Sequence, residues 1–203
     1  MTAITPKTEL KAVNLILRNM GEAPVNSLSG ELPLEASQAH DTLIEVSEDV
    51  QSRGWYFNRE YLRLSPDRDG FIRLPPNTLS VSSVAESRGT PVENRGGRLY
   101  NMTPFEQTFK FTSQMALKIT FGLDYAYLPA SARRYIALRA ARVFQIREEG
   151  DRMTAQEDES EESVAKAELM AEQLRKEPLS LNSSVSVARI SMSGGEHPLL
   201  LNY

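Results

Sequence analysis

The chain is 203 residues long, carries no Cys and has a formal net charge of −4. With 40% hydrophobic and 25% charged residues it is composed like a globular protein with enough chain to bury a core, which excludes wholesale disorder. The lack of Cys excludes a disulfide framework, a zinc ribbon, an iron–sulfur cluster and a Cys nucleophile, and the acidic balance argues against a nucleic-acid binder with a basic face.

The opening residues, MTAITPKTELKAV, have no basic stretch ahead of an apolar run, so no signal peptide is expected. The first helix is expected over residues 7–20, with Thr5-Pro6 as its cap and first turn and Gly21 as its stop. Leu10, Val13, Leu17 and Met20 form one stripe at 3-4-3 spacing, widened by Ile16. Residues 21–33 hold two Gly and two Pro and read as a connection. A second helix is expected over residues 34–53, closed by Gly54, with Ala36, Ala39, Leu43, Val46 and Val50 on its inner face. The two stripes predict an antiparallel helical hairpin.

From residue 55 to about 120 the texture turns to strands and turns. Trp55-Tyr56-Phe57 opens a strand-like run to Leu64, and residues 65–70 are a turn cluster. Phe71 to Leu74 is a short apolar piece broken by Pro75-Pro76-Asn77, and residues 81–85 read as a strand. Arg95-Gly96-Gly97-Arg98 reads as a hairpin tip, because two adjacent Gly accept positive φ, and residues 117–121 alternate as a strand. These pieces predict a small antiparallel sheet inserted between two helical pairs.

A third helix is expected over residues 130–149. Ile136, Ala137, Ala140, Ala141, Val143 and Phe144 form one apolar arc, while Tyr135, Leu138 and Ile146 lie roughly opposite among Arg139 and Arg142. Two apolar faces predict burial on both sides, one in the core and one against another subunit. A fourth helix is expected within residues 151–177, with Val164, Ala167, Ala171 and Leu174 as its stripe and Pro178 as its end. Charge is divided sharply here. Residues 131–147 carry five Arg and no acid (+5), and residues 148–162 carry eight acids and one Arg (−7). Such blocks suit either solvated faces or a surface that docks complementary charge on a neighbour. Residues 178–203 read as an extended arm, with Val185, Val187, Ile190 and Met192 on short alternations, in need of a sheet edge to join.

The expected fold class is therefore α+β. An antiparallel bundle of about four helices carries an inserted β subdomain and a C-terminal arm, divided as 1–54, 55–127, 128–177 and 178–203. No run of about 18 apolar residues predicts a membrane-spanning helix.

Chemistry is thinly signalled. His40 and His197 are the only His, with no partner at metal-ligand spacing, and there is no G-x-S-x-G, G-x-G-x-x-G or P-loop. No catalytic residue, cofactor or metal ligand is assigned. The 27 Asp and Glu leave a tail-borne polysaccharide or peptidoglycan hydrolase with paired carboxylates open as an alternative. A DNA-binding module using Arg133, Arg134, Arg139 and Arg142 is a second.

Four segments carry a resemblance: AVNLILRNMGEAPV (12–25), QSRGWYFN (51–58), NRGGRLY (94–100) and LPASARRYIALRAARVFQ (128–145). In this order they resemble the tail tubular protein A family of short-tailed bacteriophages. Asn101 stands where the family pattern leads to Asp. The resemblance implies a non-enzymatic head–tail adaptor of the virion, assembled in the host cytoplasm. It implies a dodecameric ring of identical subunits, with portal protein above and a tail tubular protein B-like nozzle below. DNA would pass through the channel without sequence-specific binding. A ring needs two unlike complementary surfaces on each subunit. The residues assigned to subunit or portal contact are Arg133, Arg134, Tyr135, Leu138, Arg139, Arg142, Glu157, Asp158, Glu159, Val185, Val187, Ile190 and Met192.

Overall fold

In the computed structural model, residues 6–149 and 154–177 are described. The elements run α1 (Glu9–Asn19), α2 (Leu34–Ser52), β1 (Arg59–Leu64), β2 (Thr78–Ser83), β3 (Val92–Arg95), β4 (Arg98–Asn101), β5 (Met115–Phe121), α3 (Ala130–Glu149) and α4 (Thr154–Lys176). The class is α+β, as the sequence predicts. The arm proposed for residues 178–203 lies outside the described residues.

Helix α1 starts later than expected. Its cap is Thr8, whose hydroxyl accepts from the Lys11 N–H at 3.3 Å, and Pro6 stays outside the helix as a buried residue. Both Thr5 and Thr8 satisfy the local cap rule, and only packing chooses between them. The stop is at Gly21, with φ of 74°. There the Gly21 N–H donates to the Arg18 carbonyl at 3.1 Å and the Glu22 N–H to the Leu17 carbonyl at 2.9 Å, closing the last turn. Asn14 then secures the connection that follows. Its side chain donates to the Val25 carbonyl and accepts from the Val25 N–H, both at 2.8 Å.

Helix α2 buries Ala36, Ala39, Leu43, Val46 and Val50, the predicted stripe. Helix α3 is the centre of the bundle and packs against the other three. Its ion pairs give the directions. Arg139 meets Asp49 and Arg147 meets Glu45, so α2 runs antiparallel to α3. Arg142 meets Glu162 and Arg134 meets Glu168, so α4 does too.

On α4 the sequence reading needs correcting. Val164, Ala167, Ala171 and Leu174 face outward, with Val164 50% and Leu174 64% exposed. The buried positions are Glu162, Ala165 and Leu169. The helix has two stripes at similar spacing, and the less apolar one is inside because its acid meets the Arg face of α3.

Residues 56–58 form a turn, and the strand expected from Trp55 starts only at Arg59. The Asn58 side chain accepts from the Trp55 N–H at 2.7 Å and so closes the turn. The Trp55 ring goes to the bundle core, and its indole N–H donates to the Val50 carbonyl at 2.7 Å.

Instead of one sheet there are two antiparallel ones, β1-β5-β2 and the β3-β4 hairpin. Strand β5 is central, pairing Leu62 with Leu117 on one side and Val81 with Ile119 on the other. Strand β2 runs from residue 78 to 83 and ends before Ala85, whose φ of 49° leaves the extended region. The hairpin turns at Gly96-Gly97, with φ of 61° and 74°, as the sequence predicts. It is stitched to the Phe71–Leu74 piece by Leu99 N–H to the Ile72 carbonyl and Leu74 N–H to the Gly97 carbonyl. Ile72, Leu74, Val81, Val92, Leu99, Phe111, Met115, Leu117 and Ile119 form an apolar cluster separate from that of the helices.

Candidate assembly surfaces

Buried polar side chains hold the helices to the sheet. Gln51 ends the inner face of α2. Its amide donates to the Ser47 hydroxyl and the Leu123 carbonyl at 3.0 Å, and its carbonyl accepts from the Leu123 N–H at 2.7 Å. Asn58 donates to the carbonyls of Gln51 at 3.0 Å and Phe121 at 2.7 Å. Gly54 lies between them with φ of 72°, its Cα so close to β5 that a Cβ would sit 3.0 Å from the Thr120 hydroxyl. The QSRGWYFN segment is thus a mechanical joint between α2, β1 and β5.

The Arg block of α3 finds its partners inside the subunit, one from the acidic block (Glu162) and the others from acids elsewhere in the chain. Glu162 is 6% exposed and accepts from Arg142 at 2.5 Å and Arg139 at 3.4 Å. Arg139 also reaches Asp49 at 3.1 Å, and Arg134 pairs with Glu168 at 2.7 Å. Glu172 collects the Ser131 hydroxyl at 2.5 Å, the Tyr56 hydroxyl at 2.8 Å and Lys176 at 3.2 Å. The Ser131 hydrogen bond, with those of Tyr56 and Lys176, holds its carboxyl below the usual range. Burial, with Glu172 beside it, pushes the Tyr56 hydroxyl well above its ordinary pKa. Gln173 accepts from the Tyr56 N–H at 2.7 Å, and Glu177 pairs with Arg59. The C-terminal half of α4 is therefore tied to α3 and to the helix–strand joint. Nearer the surface, Arg147 grips Glu45 with bonds of 2.8 and 2.9 Å, which hold that exposed carboxyl below its usual range.

Most of the α3 residues assigned from sequence to a subunit surface have partners within the chain. Tyr135 is 1% exposed and lies in the core, and Leu138 packs against it. Arg134, Arg139 and Arg142 are in the ion pairs above. Arg133 donates to the Lys7 and Ala126 carbonyls at 3.4 Å. Glu159 is exposed on α4. The side chains of Glu157 and Asp158, and all of Val185, Val187, Ile190 and Met192, lie outside the described residues. Sequence reasoning missed Gln51, Asn58, Glu162 and Glu172. For Glu162 there was a signal, since it falls in phase with Ala165 and Leu169.

A cleft of about 310 Å³ runs between α2 and the β5–α3 connection. Leu43, Ile44, Leu79, Leu123 and Tyr125 make its apolar lining, and Glu9, Glu48 and Asp124 bring carboxylates to it. His40 stands 3.8 Å from Glu9. Among the described residues no three His, Asp or Glu side chains come together as a metal-binding group, and no helix is long and apolar enough to cross a membrane. The resolved geometry is one of joints and packed faces.

The family model described as tail tubular protein matches residues 10–179, nearly the whole described fold. The chain belongs to the tail tubular protein family. A relative described as tail tubular protein A, of Klebsiella phage KP34, is 34% identical over 129 residues, covering 64% of this chain and 67% of the relative. Membership of the tail tubular proteins makes the chain a component of a phage tail. The four resemblance segments have plain structural work in this family member. They supply the Asn14 clamp and Gly21 stop, the α2–β1 joint, the Gly96-Gly97 turn, and the central helix. In the third, Asn94 accepts from the Gly97 N–H at 3.1 Å, and the Arg95 guanidinium lies 3.8 Å from the centre of the Tyr100 ring. Asn101, where the resemblance leads to Asp, accepts from the Thr103 N–H at 2.8 Å, a bond an Asp carboxylate would accept equally.

Proposed function

We propose that the chain is a non-enzymatic adaptor that assembles with identical copies into a ring, dodecameric in the intact particle, at the head–tail junction. The ring joins portal protein above to a tail tubular protein B-like nozzle below, and DNA passes through its channel. The observation that carries this reading is the family match over residues 10–179. The physical character of the fold supports it. Buried Glu162, Gln51 and Asn58, with the half-buried Glu172, join α2, α3, α4 and β5 into a stiff unit, as a part that transmits load between two collars requires. An acidic chain also suits a conduit, since a wall that gripped phosphates would slow the DNA.

The division at 54/55 and 127/128 belongs to the same proposal; the two separate apolar clusters support a β subdomain, with Trp55 and Tyr125 at the ends of the 55–127 segment packed in the helical cluster. So does a docking role for residues 178–203. A phosphate-binding role for Arg134, Arg139 and Arg142 has less support, because each faces a carboxylate of its own chain.

The test is the mass of the purified protein alone and mixed with portal particles, with electron microscopy of the mixture. A ring seated on the portal is expected. Virions lacking the protein that still retain DNA and carry a complete tail would overturn the proposal.

A further inference from the structure

Helix α4 packs on α3 with one face and presents Val164, Ala167, Met170, Ala171 and Leu174 with the other. Helix α2 also carries two exposed large apolar residues, Leu34 and Ile44, the first 68% exposed. These two faces match in three respects. Leu34 and Ile44 are ten residues apart, as are Val164 and Leu174, so both pairs span about 15 Å with the same angular offset. The small Ala167 and Ala171 allow a second helix to come close between the α4 anchors. Both helices run antiparallel to α3 and hence parallel to each other. One subunit step in a twelve-fold ring, a rotation of about 30°, turns a helix direction by no more than that, so α4 of one copy meets α2 of the next close to parallel.

Charge agrees with this register. When Leu174 is level with Ile44, Arg175 lies beside the turn holding Glu45 and Glu48. Arg175 and Glu48 are exposed, and neither has an ion-pair partner among the described residues. At the other end Lys166 lies near Glu35.

We propose that the exposed stripe of α4 is the seat for α2 of a second copy of this chain, with Val164 against Leu34 and Leu174 against Ile44. The proposal rests on the ring reading above and names the surfaces that would build it.

The chain has no Cys, so introduced pairs report without background. Virions carrying Leu174→Cys with Ile44→Cys, or Val164→Cys with Leu34→Cys, are oxidised and run on a denaturing gel. A ladder of covalent multimers beyond dimer is expected for both pairs, while each single substitution stops at dimer. The crossed pair, Val164→Cys with Ile44→Cys, is expected to give no ladder. Monomer and dimer bands alone for the first two pairs, in particles whose ring is visible by electron microscopy, would overturn this seat and leave the ring reading standing. A ladder from the crossed pair only would overturn the parallel register. Wild-type particles without a ring would overturn the reading on which it rests.

Discussion

Replacing Asn58 by Ala tests whether the α2–β1–β5 joint holds the fold together. The residue is buried, and its side chain makes three hydrogen bonds to backbone groups: from Trp55 N–H, and to the carbonyls of Gln51 and Phe121. Truncation leaves a donor and two acceptors without that partner. A buried group left unsatisfied costs about 1–3 kcal/mol. The Gln51 carbonyl keeps the Gly54 N–H at 3.0 Å and the Phe121 carbonyl is only part-buried, so the sum is taken low, at about 2–3 kcal/mol. For a chain of this size that lowers Tm by about 4–12 °C. Trp55 is the only Trp and donates directly to Asn58, so its fluorescence reports the joint while far-UV circular dichroism reports the helices. Asn58→Asp is expected to cost at least as much, because its carboxylate would face two carbonyl oxygens. Melts are compared at a concentration where mass shows one species. A Tm within about 2 °C of wild type for Asn58→Ala would refute the reasoning, since it would mean water replaces all three bonds without loss.

Three further expectations follow from particular contacts. Leu169→Ala is expected to cost about 2–4 kcal/mol and Leu174→Ala less than about 0.5 kcal/mol in urea titrations of the monomer, since only Leu169 is buried; equal losses would mean the outer stripe packs within the subunit. Gly54→Ala is expected to destabilise more than Gly96→Ala. Both have positive φ, a cost of about 1–2 kcal/mol, but only at Gly54 does the new Cβ meet neighbours, at 3.0 Å from Thr120 and 3.2 Å from Arg59. Paired thermal melts that rank them the other way would disprove this. The Glu172 carboxyl is lowered, so its contribution is complete above the ordinary carboxylate pKa of about 4.3 and is lost as pH falls below that through the lowered value. Urea midpoints from pH 6 to pH 3 are therefore expected to fall more steeply for wild type than for Glu172→Gln; identical slopes would count against it.

Much of the architecture was legible because it is written in local rules. The Gly21 and Gly54 stops, the Gly96-Gly97 turn, the inner face of α2 and the span of α3 each depend on residues within a few positions of one another. Helical period and positive φ are properties of the chain itself, so the sequence determined them alone. Tertiary structure decided which of two Thr caps α1, which of two stripes on α4 turns inward, and that Trp55 enters the bundle instead of a strand. It also decided that the Arg block of α3 pairs within the subunit, with Glu162 from the acidic block and with Asp49, Glu45 and Glu168 from outside it. Each of these depends on a partner distant in sequence: Glu162 on Arg139 and Arg142, Gln51 on Leu123, Tyr56 on Glu172. Periodicity marks a face as able to pack. Only the meeting of two such faces, with their polar groups satisfied, fixes which one does.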